Sequence, residues 1–403
     1  MNNPTPLAGV TVLEFSHTIM GPCAGLVLAD LGARVIKIEP APDGDRTRQL
    51  PGFAAGFFAT FNRNKQSLAV DLKTDDGKKI IHALTAEADV VIENYGPGTM
   101  ERLGCSWETL RALNPRLVYL ALKGFLHGPW ENRPALDEVV QFQSGLAYMT
   151  GPEGQPLRAG ASVVDILGAV FGCTGVLAAL RERDTTGIGQ RVGSALFESA
   201  AFMMASHMAG GVTTGQTIPP MTARKGAWGV YDVFRTREGK QLFIGVTSDK
   251  QWTRFCKHFA FEDLAADKSI ANNAQRVTER DTLIPKLNQR IATLAYDDAV
   301  RCCEEADVSW APVARPEDLY DCEQLLPRGL LDIIIQSDGN RPDLQALLPG
   351  LPLEFGPERE RTRVVTQPPL TGQHTTEILS EFGFEPQQIH QWLQTRTVLE
   401  TSG

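Results

Sequence analysis

The chain has 403 residues, 42% of them hydrophobic and 22% charged, an ordinary globular composition that excludes a disordered, collagen-like or coiled-coil protein. Its 39 basic and 48 acidic side chains leave a net charge of −9, the reverse of the basic excess of a nucleic-acid binder, so an anionic ligand needs a local basic patch. The length exceeds one ordinary core and predicts two domains.

In chain order, Val10–Phe15 (VTVLEF) reads as a strand, the segment up to Ala33 as a loop and helix, and Arg34–Glu39 (RVIKIE) as a second, parallel strand. Ser67–Leu72 is a third strand, Asp75–Ala88 a helix, Asp89–Glu93 a strand, Trp107–Leu113 a short helix and Leu117–Leu122 a strand. This alternation predicts an α/β domain with a doubly wound parallel sheet. Ala161–Leu180 is nearly apolar and long enough to span a bilayer. Asp165 inside it would be costly in lipid, so a buried core helix is expected, with Gly168 and Gly172 allowing close helix contact. Gln190–Ala209 reads as a strand start and a long helix, and 210–221 as a linker. Tyr231–Val246 reads as a hairpin around Glu238-Gly239, followed by helices from Lys250 to Ala306. The expected organisation is a large domain over 1–209, a small α+β domain over 222–313, a linker over 314–330 and a C-terminal segment over 331–403 that returns to the large domain. Within that segment Gln336–Pro369 is mostly irregular and Thr375–Gln394 a helical pair.

The first β-α turn invites a dinucleotide reading, with Glu39 on a ribose hydroxyl. The turn is Gly21-Pro22-Cys23-Ala24-Gly25 and lacks G-x-G-x-x-G, so Gly21 and Pro22 read as a helix start. There is no G-x-S-x-G, Walker A or H-E-x-x-H motif, and the seven histidines are scattered, so no metal site is indicated. Seven cysteines without a C-x-x-C pair fit neither a disulfide framework nor zinc. With no signal peptide visible at the N-terminus, the expectation is a soluble, cytoplasmic protein. Chemistry then rests on a carboxylate, and Asp165 is the candidate. It is either a first-turn Asp complementing the helix dipole or a partly desolvated nucleophile at the edge of a buried helix.

Seven segments in order then resemble the class III CoA-transferases, the family of formyl-CoA transferase and carnitine CoA-transferase. They are the opening LAGVTVLEFSHTIMGPCAGLVLADLGARVIKIE, GDRTR (44–48), NRNKQSLAVDLK (62–73), VIENYGPGTMERLG (91–104), NPRLVYLALKGF, the VVDILG segment around Asp165, and PPLTGQHTTEILSEFGF. The resemblance places Asp165 on the family's catalytic aspartate. It implies an exchange of CoA between carboxylic acids through aspartyl-acyl anhydride and aspartyl-CoA thioester intermediates, with no metal and no cofactor beyond coenzyme A as substrate. It puts His17, Arg48, Lys73, Asn94, Tyr95 and Arg102 at the CoA site, and Ile19, Met20, Phe57 and Leu136 in the substrate pocket.

Departures narrow the substrate. Formyl-CoA transferases carry a glutamine at Ile19 and tyrosines at Phe57 and Leu136, and their glycine-rich loop is replaced here by MTARKGAW. A small dianion such as oxalate would lack donors. A C4 or C5 dicarboxylic acid of the succinate, mesaconate or itaconate type is expected, with Arg46 or Arg224 on its distal carboxylate and intramolecular transfer equally possible in chemistry. The related α-methylacyl-CoA racemases need a histidine near Leu136 and a Glu near Asp232. Leu136 disfavours that alternative. A non-catalytic CoA-binding subunit is the other alternative. The family also implies an interlocked, ring-like homodimer with the active site between subunits, and no membrane or nucleic-acid partner.

Overall fold

The computed structural model describes residues 5–223, 226–326, 328–336, 343–361 and 363–401. The chain forms two compact units, one from residues 1–220 and 323–403, the other from 221–322.

The first unit is built on a seven-stranded sheet. Its strands are β1 (Thr11–Phe15), β2 (Arg34–Pro40), β3 (Lys65–Val70), β4 (Val90–Glu93), β5 (Val118–Lys123), β6 (Arg191–Ala195) and, late in the chain, β7 (Val398–Leu399). The order is β7-β3-β2-β1-β4-β5-β6, all parallel except the antiparallel edge strand β7. Both faces are covered. Val12, Val35, Ile92 and Leu120 on one face pack under the helices Met20–Asp30 and Val163–Thr186. Leu13, Ile36, Leu68 and Val91 on the other face the helix Asp75–Glu87 and the C-terminal helices Thr375–Glu381 and Pro386–Gln394. Strands buried on both sides read as continuous apolar runs, which is why most were legible.

β3 begins two residues earlier than its apolar run suggests, because Lys65 lies inside the sheet. Glu14 of β1 sits between two lysines, Lys65 at 2.7 Å and Lys37 of β2 at 3.4 Å, and all three side chains are fully buried. Burial, opposed by Glu14 and reinforced by Lys37, brings the Lys65 ammonium down to about 8. Lys37 goes the other way despite equal burial, because Asp45 at 2.9 Å and Glu14 both hold its charge. Gly25 is obligatory beside this cluster, since a Cβ there would fall 1.7 Å from a Glu14 carboxylate oxygen.

The helix Val163–Thr186 is long and apolar enough to cross a membrane. It is a core helix whose Gly168 serves the expected close contact with another helix, Met20–Asp30, while Gly172 and Gly175 serve contact with the sheet. A Cβ at Gly172 would stand 2.9 Å from Leu122, one at Gly175 2.5 Å from Val192, and one at Gly168 2.4 Å from Met20. Its outer face, with Val170, Phe171 and Leu177, remains exposed. The linker expected from 210 begins later than read, because the helix Leu196–Thr214 carries Gly210 and Gly211 and ends only at Gly215 in the left-handed conformation. The expected irregular stretch contains a strand. Leu344–Pro349 pairs antiparallel with Leu330–Ile335, and its mixed LQALLP pattern with a terminal proline hid it.

The second unit is a three-stranded antiparallel sheet of Val230–Arg235, Gln241–Val246 and Ser309–Pro312, covered by helices between Asp249 and Glu305 around Phe234, Ile244, Phe255 and Leu287. Gly239 at φ 79° turns the hairpin.

Substituting Glu14→Gln leaves two buried ammonium groups without their shared anion. It is expected to lower unfolding free energy by about 3 kcal/mol or more, measured by urea denaturation. An unchanged midpoint would show that the cluster relaxes without cost.

Candidate active site

In an open parallel sheet a ligand crevice lies beyond the carboxyl ends of the strands where the winding reverses. Here that point falls between β1 and β4. His17 follows β1 and Asn94 follows β4, and they lock the two loops together. The His17 N–H donates to Asn94 Oδ1 at 3.0 Å, and Asn94 Nδ2 donates to the His17 carbonyl at 2.9 Å. The His17 ring stacks on Tyr95 with centroids 5.6 Å apart. Loss of water around the ring holds the His17 imidazole below its ordinary value, opposed by the charge of Asp45 and helped by that of Lys37. Thr18 takes φ 65°, a strained value for a β-branched residue. Its N–H is held by Thr47 Oγ1 at 2.9 Å, and its hydroxyl lies 2.7 Å from His17 Nδ1.

Two cavities meet at this loop, both walled by His17, Thr18 and Tyr95. One, of about 530 Å³, runs past Arg46, Leu50, Leu72, Lys73 and Thr99. The other, of about 730 Å³, contains Asp165 together with Ile19, Met20, Phe57 and Leu136, so every residue expected around the reacting group lines one space.

Asp165 is in the first turn of Val163–Thr186. Among the described residues its carboxylate has no hydrogen-bond donor. Burial first, then Asp137 and Glu138, push its carboxyl from the ordinary 3.8 up to about 7. A simple dipole-complementing Asp would be held low instead. The helix does not use its own Ser162 side chain as a cap. The buried Asp137, from the start of the helix Asp137–Gln143, accepts the N–H groups of Val164 at 2.9 Å and Asp165 at 3.0 Å.

The expected CoA-site residues divide. His17, Lys73 and Tyr95 line the smaller cavity, and Asn94 and Tyr95 the larger. Arg102 lies outside both walls and donates to Thr99 Oγ1 at 2.8 Å. Arg48 turns away. It makes two bonds to Glu39, at 2.9 and 2.7 Å, stands 3.6 Å over the Phe58 ring, and lines a separate pocket. Glu39 is thereby taken up by Arg48, the Asp45 N–H and Ser67, which leaves no ribose role for it. Of the two arginines expected at a distal carboxylate, Arg46 lines the smaller cavity and Arg224 lies outside the described residues. The larger cavity instead has Lys123, Arg133 and Arg158 on its wall. Lys123 is already engaged, donating to Glu93 and to the Tyr95 carbonyl at 2.7 Å each.

Residues 7–375 match the family described as CoA-transferase family III. The chain belongs to that family. It is thus an enzyme of the CoA-transferase class. It is 32% identical over 397 residues to an acyl-CoA transferase of Fusarium pseudograminearum, covering 95% of this chain and 86% of the relative. It is 31% identical over 395 residues to the human succinyl-CoA:glutarate CoA-transferase, covering 94% of this chain and 87% of the relative. A crystal structure of a CaiB/BaiF family protein from Brucella suis superimposes with a TM-score of 0.81 at 29% identity, covering 94% of this chain and all of that one.

Within this CoA-transferase, sequence reasoning missed Asp137. A carboxylate that caps a helix beginning 26 residues later leaves no local signature, since capping motifs are read within four residues. Its neighbour Leu136 was found through the resemblance.

The raised Asp165 carboxyl has a stability consequence. Between pH 3.8 and about 7 the folded state holds a proton that the unfolded chain has released, so stability falls as pH rises through that window. Asp165→Asn is therefore expected to stabilise the protein at pH 8 by about 2 kcal/mol, with the gain shrinking towards pH 5. Thermal melts at the two pH values check this, and a loss of stability at pH 8 would contradict it.

Proposed function

We propose that this enzyme moves CoA between an acyl-CoA and a free dicarboxylic acid of four or five carbons, with Asp165 as the nucleophile. The observation that carries the reading is the Asp165 carboxylate, half-buried without a hydrogen-bond donor among the described residues, on a cavity that shares the walls His17, Thr18 and Tyr95 with a second cavity that carries Arg46 and Lys73. The second cavity suits the nucleotide end of CoA, where cations meet phosphates. Arg48, bound to Glu39 and Phe58, acts by holding the Asp45–Thr47 loop, and Arg102 reaches phosphate from the rim.

Asp165 attacks the thioester carbonyl, an oxygen–carbon bond forms and the carbon–sulfur bond breaks, and CoA leaves as the thiolate. The thiolate then attacks the aspartyl carbonyl, giving aspartyl-CoA and the first free acid. The acceptor acid reverses the sequence. Every step exchanges one activated acyl group for another, and the covalent path divides one hard transfer into easier ones.

Ile19, Met20, Phe57 and Leu136 offer apolar walls to a carbon skeleton, while Arg133 and Arg158 on the same wall offer cations to a second carboxylate. The name of the human relative, which pairs succinyl-CoA with glutarate, supports the same substrate class. Racemisation is disfavoured. Leu136 has no group that can take or give a proton, and Asp232 is engaged by Arg280 at 2.6 Å. The exposed apolar strip of Phe171, Leu177, Phe202, Met208 and Val212 supports a homodimer. The seven free cysteines fit a reducing, cytoplasmic compartment.

The test incubates the protein with succinyl-CoA and glutarate, mesaconate, itaconate, formate or oxalate, and identifies every thioester by mass. New thioesters are expected with the dicarboxylic acids of four to five carbons, and Asp165→Ala is expected to lower the rate at least about a thousandfold. α-Proton exchange in deuterated water without transfer would replace this reading by a racemase.

A further inference from the structure

Asp137 does more than close a helix end. Its side chain is buried, with one oxygen taking the N–H groups of Val164 and Asp165 at 2.9 and 3.0 Å. Its other oxygen is bonded by the amide of Gln141, which is fully buried. Gln141 Oε1 in turn accepts the Ala159 N–H at 2.8 Å and ties down the strand of chain that leads into the helix. The result is a rigid bracket of two side chains around residues 159–165. The bracket ends in a carboxylate, and that choice needs explaining. A neutral acceptor such as asparagine or serine caps a helix nearly as well. A carboxylate here adds a second negative charge beside a nucleophile that is itself an anion.

Resting on the transferase reading above, we propose that Asp137 is the positioning residue of the Asp165 nucleophile, fixing its backbone and raising the energy of its ionised ground state, so that acylation, which removes the Asp165 charge, relieves the repulsion. The arithmetic of the step fits. The Asp165 oxygen forms a bond to the thioester carbon, the carbon–sulfur electron pair leaves with CoA, and the negative charge moves from beside Asp137 onto the departing thiolate. The same capping uses up the N-terminal end of the helix dipole, which would otherwise favour the ionised carboxylate and weaken it as a nucleophile. The raised Asp165 carboxyl, with Asp137 first among its charged causes after burial, agrees with this arrangement.

The charged and titratable groups around Asp165 come from several elements. Asp137 and Glu138 flank it, Cys23 approaches from the helix Met20–Asp30, and His17, Lys123 and Arg158 share its cavity. Glu131 and Arg133 line the same cavity, with Arg133 stacked 4.9 Å from the Trp130 ring centroid. Lys123 is paired with Glu93 and Arg158 loosely with Glu138 at 3.4 Å, and of the charged groups Asp137 acts most strongly on the Asp165 carboxyl.

The test separates the charge from the hydrogen bonds. Asp137→Asn keeps an oxygen for the two N–H groups but sets its amide against that of Gln141. Asp137→Asn combined with Gln141→Glu restores every hydrogen bond and moves the charge one side chain away. Carboxyl-¹³C aspartate labelling, with the Asp165→Asn spectrum assigning the resonance, follows the Asp165 titration directly and needs no turnover. The wild-type resonance is expected to titrate near 7, and in the double variant at least about one pH unit lower. The transfer rate at pH 8 is expected to fall about tenfold or more while the melting temperature stays within a few degrees of wild type. An unshifted titration with wild-type rate in the double variant overturns the proposal and leaves Asp137 a plain cap. Failure of both variants to fold also overturns it, by assigning the carboxylate to the fold alone. A shifted titration in the double variant, with wild-type protein that transfers no CoA, upholds the electrostatic role of Asp137 and rejects the transferase reading instead.

Discussion

The site depends on a buried carboxylate in the middle of the sheet. Glu14 lies on the central strand and is gripped by Lys37 from the neighbouring strand β2 and by Lys65 from β3, the strand beyond it. From Lys37 the polar contacts continue outward. Its ammonium also binds the Ser16 carbonyl at 2.9 Å and Asp45, Asp45 holds Thr47, and Thr47 holds the Thr18 N–H. One connected run of polar groups therefore leads from the sheet interior to the strained residue that separates the two cavities. A buried ion cluster is a weak source of stability compared with packed apolar side chains, because desolvation offsets most of the attraction. What it supplies is a unique geometry. An apolar substitute could fill the volume of Lys37, but it could not reach from a strand to a loop and fix the backbone of residues 16–18. The strain at Thr18, on the order of 1–3 kcal/mol, persists because several independent bonds determine the loop around it.

Two carboxylates removed from bulk water in the same domain are thus treated in opposite ways. Glu14 receives two ammonium groups. Asp165 receives another carboxylate and, among the described residues, no donor, and under the proposed reaction it is the nucleophile. The identity of the nearest charge decides between structure and chemistry. The distinction explains why Asp137 belongs with Asp165 rather than with the ordinary helix caps. Thr74, Ser106, Ser248 and Asn272 cap their helices from the adjacent residue, while the helix Val163–Thr186 is capped from a distance by Asp137.

The same contrast marks what could be read from the sequence. The doubly wound order followed from strands that alternate with helices, and their apolar runs placed most elements within two residues. Gly168 and Gly172 signalled close packing but not its partner, since a GxxxG pattern is indifferent to whether a helix or a sheet lies opposite. Lys65 was read as lying outside its strand because a lysine in a parallel sheet contradicts the expected pattern unless its anion is known. Leu344–Pro349 was read as irregular because its pairing partner, not its own pattern, makes it a strand. At the site, Asp165 was already a candidate from its place at the start of an apolar helix, His17, Asn94 and the apolar quartet were reached through the family resemblance, and all of them line one cavity. Arg48 was placed with CoA by its motif, and its actual partners, Glu39 and Phe58, are nine and ten residues away on either side. Long-range polar pairing is the common cause of these misses. Hydrophobic periodicity is a local signal, whereas a buried charge is defined by residues distant in sequence.

The charge distribution also answers how a protein of net charge −9 can take a polyanionic substrate. Much of the negative charge near the cavities is already spent. Asp45 is paired with Lys37, Glu39 with Arg48, and Glu93 with Lys123. This leaves Arg46 and Lys73 to set the field of the smaller cavity, and Asp165 with Asp137 that around the reacting carbon in the larger, whose wall also carries Arg133 and Arg158. Under the proposed reaction the thiolate of CoA departs from the negative end of this pair of cavities while its phosphates stay anchored at the positive end. The field therefore pushes the leaving group off the acyl carbon without expelling the molecule, and the thiolate remains tethered for its return to the aspartyl carbonyl. Effective concentration, rather than tight binding of the thiolate itself, then sustains the second half of the exchange.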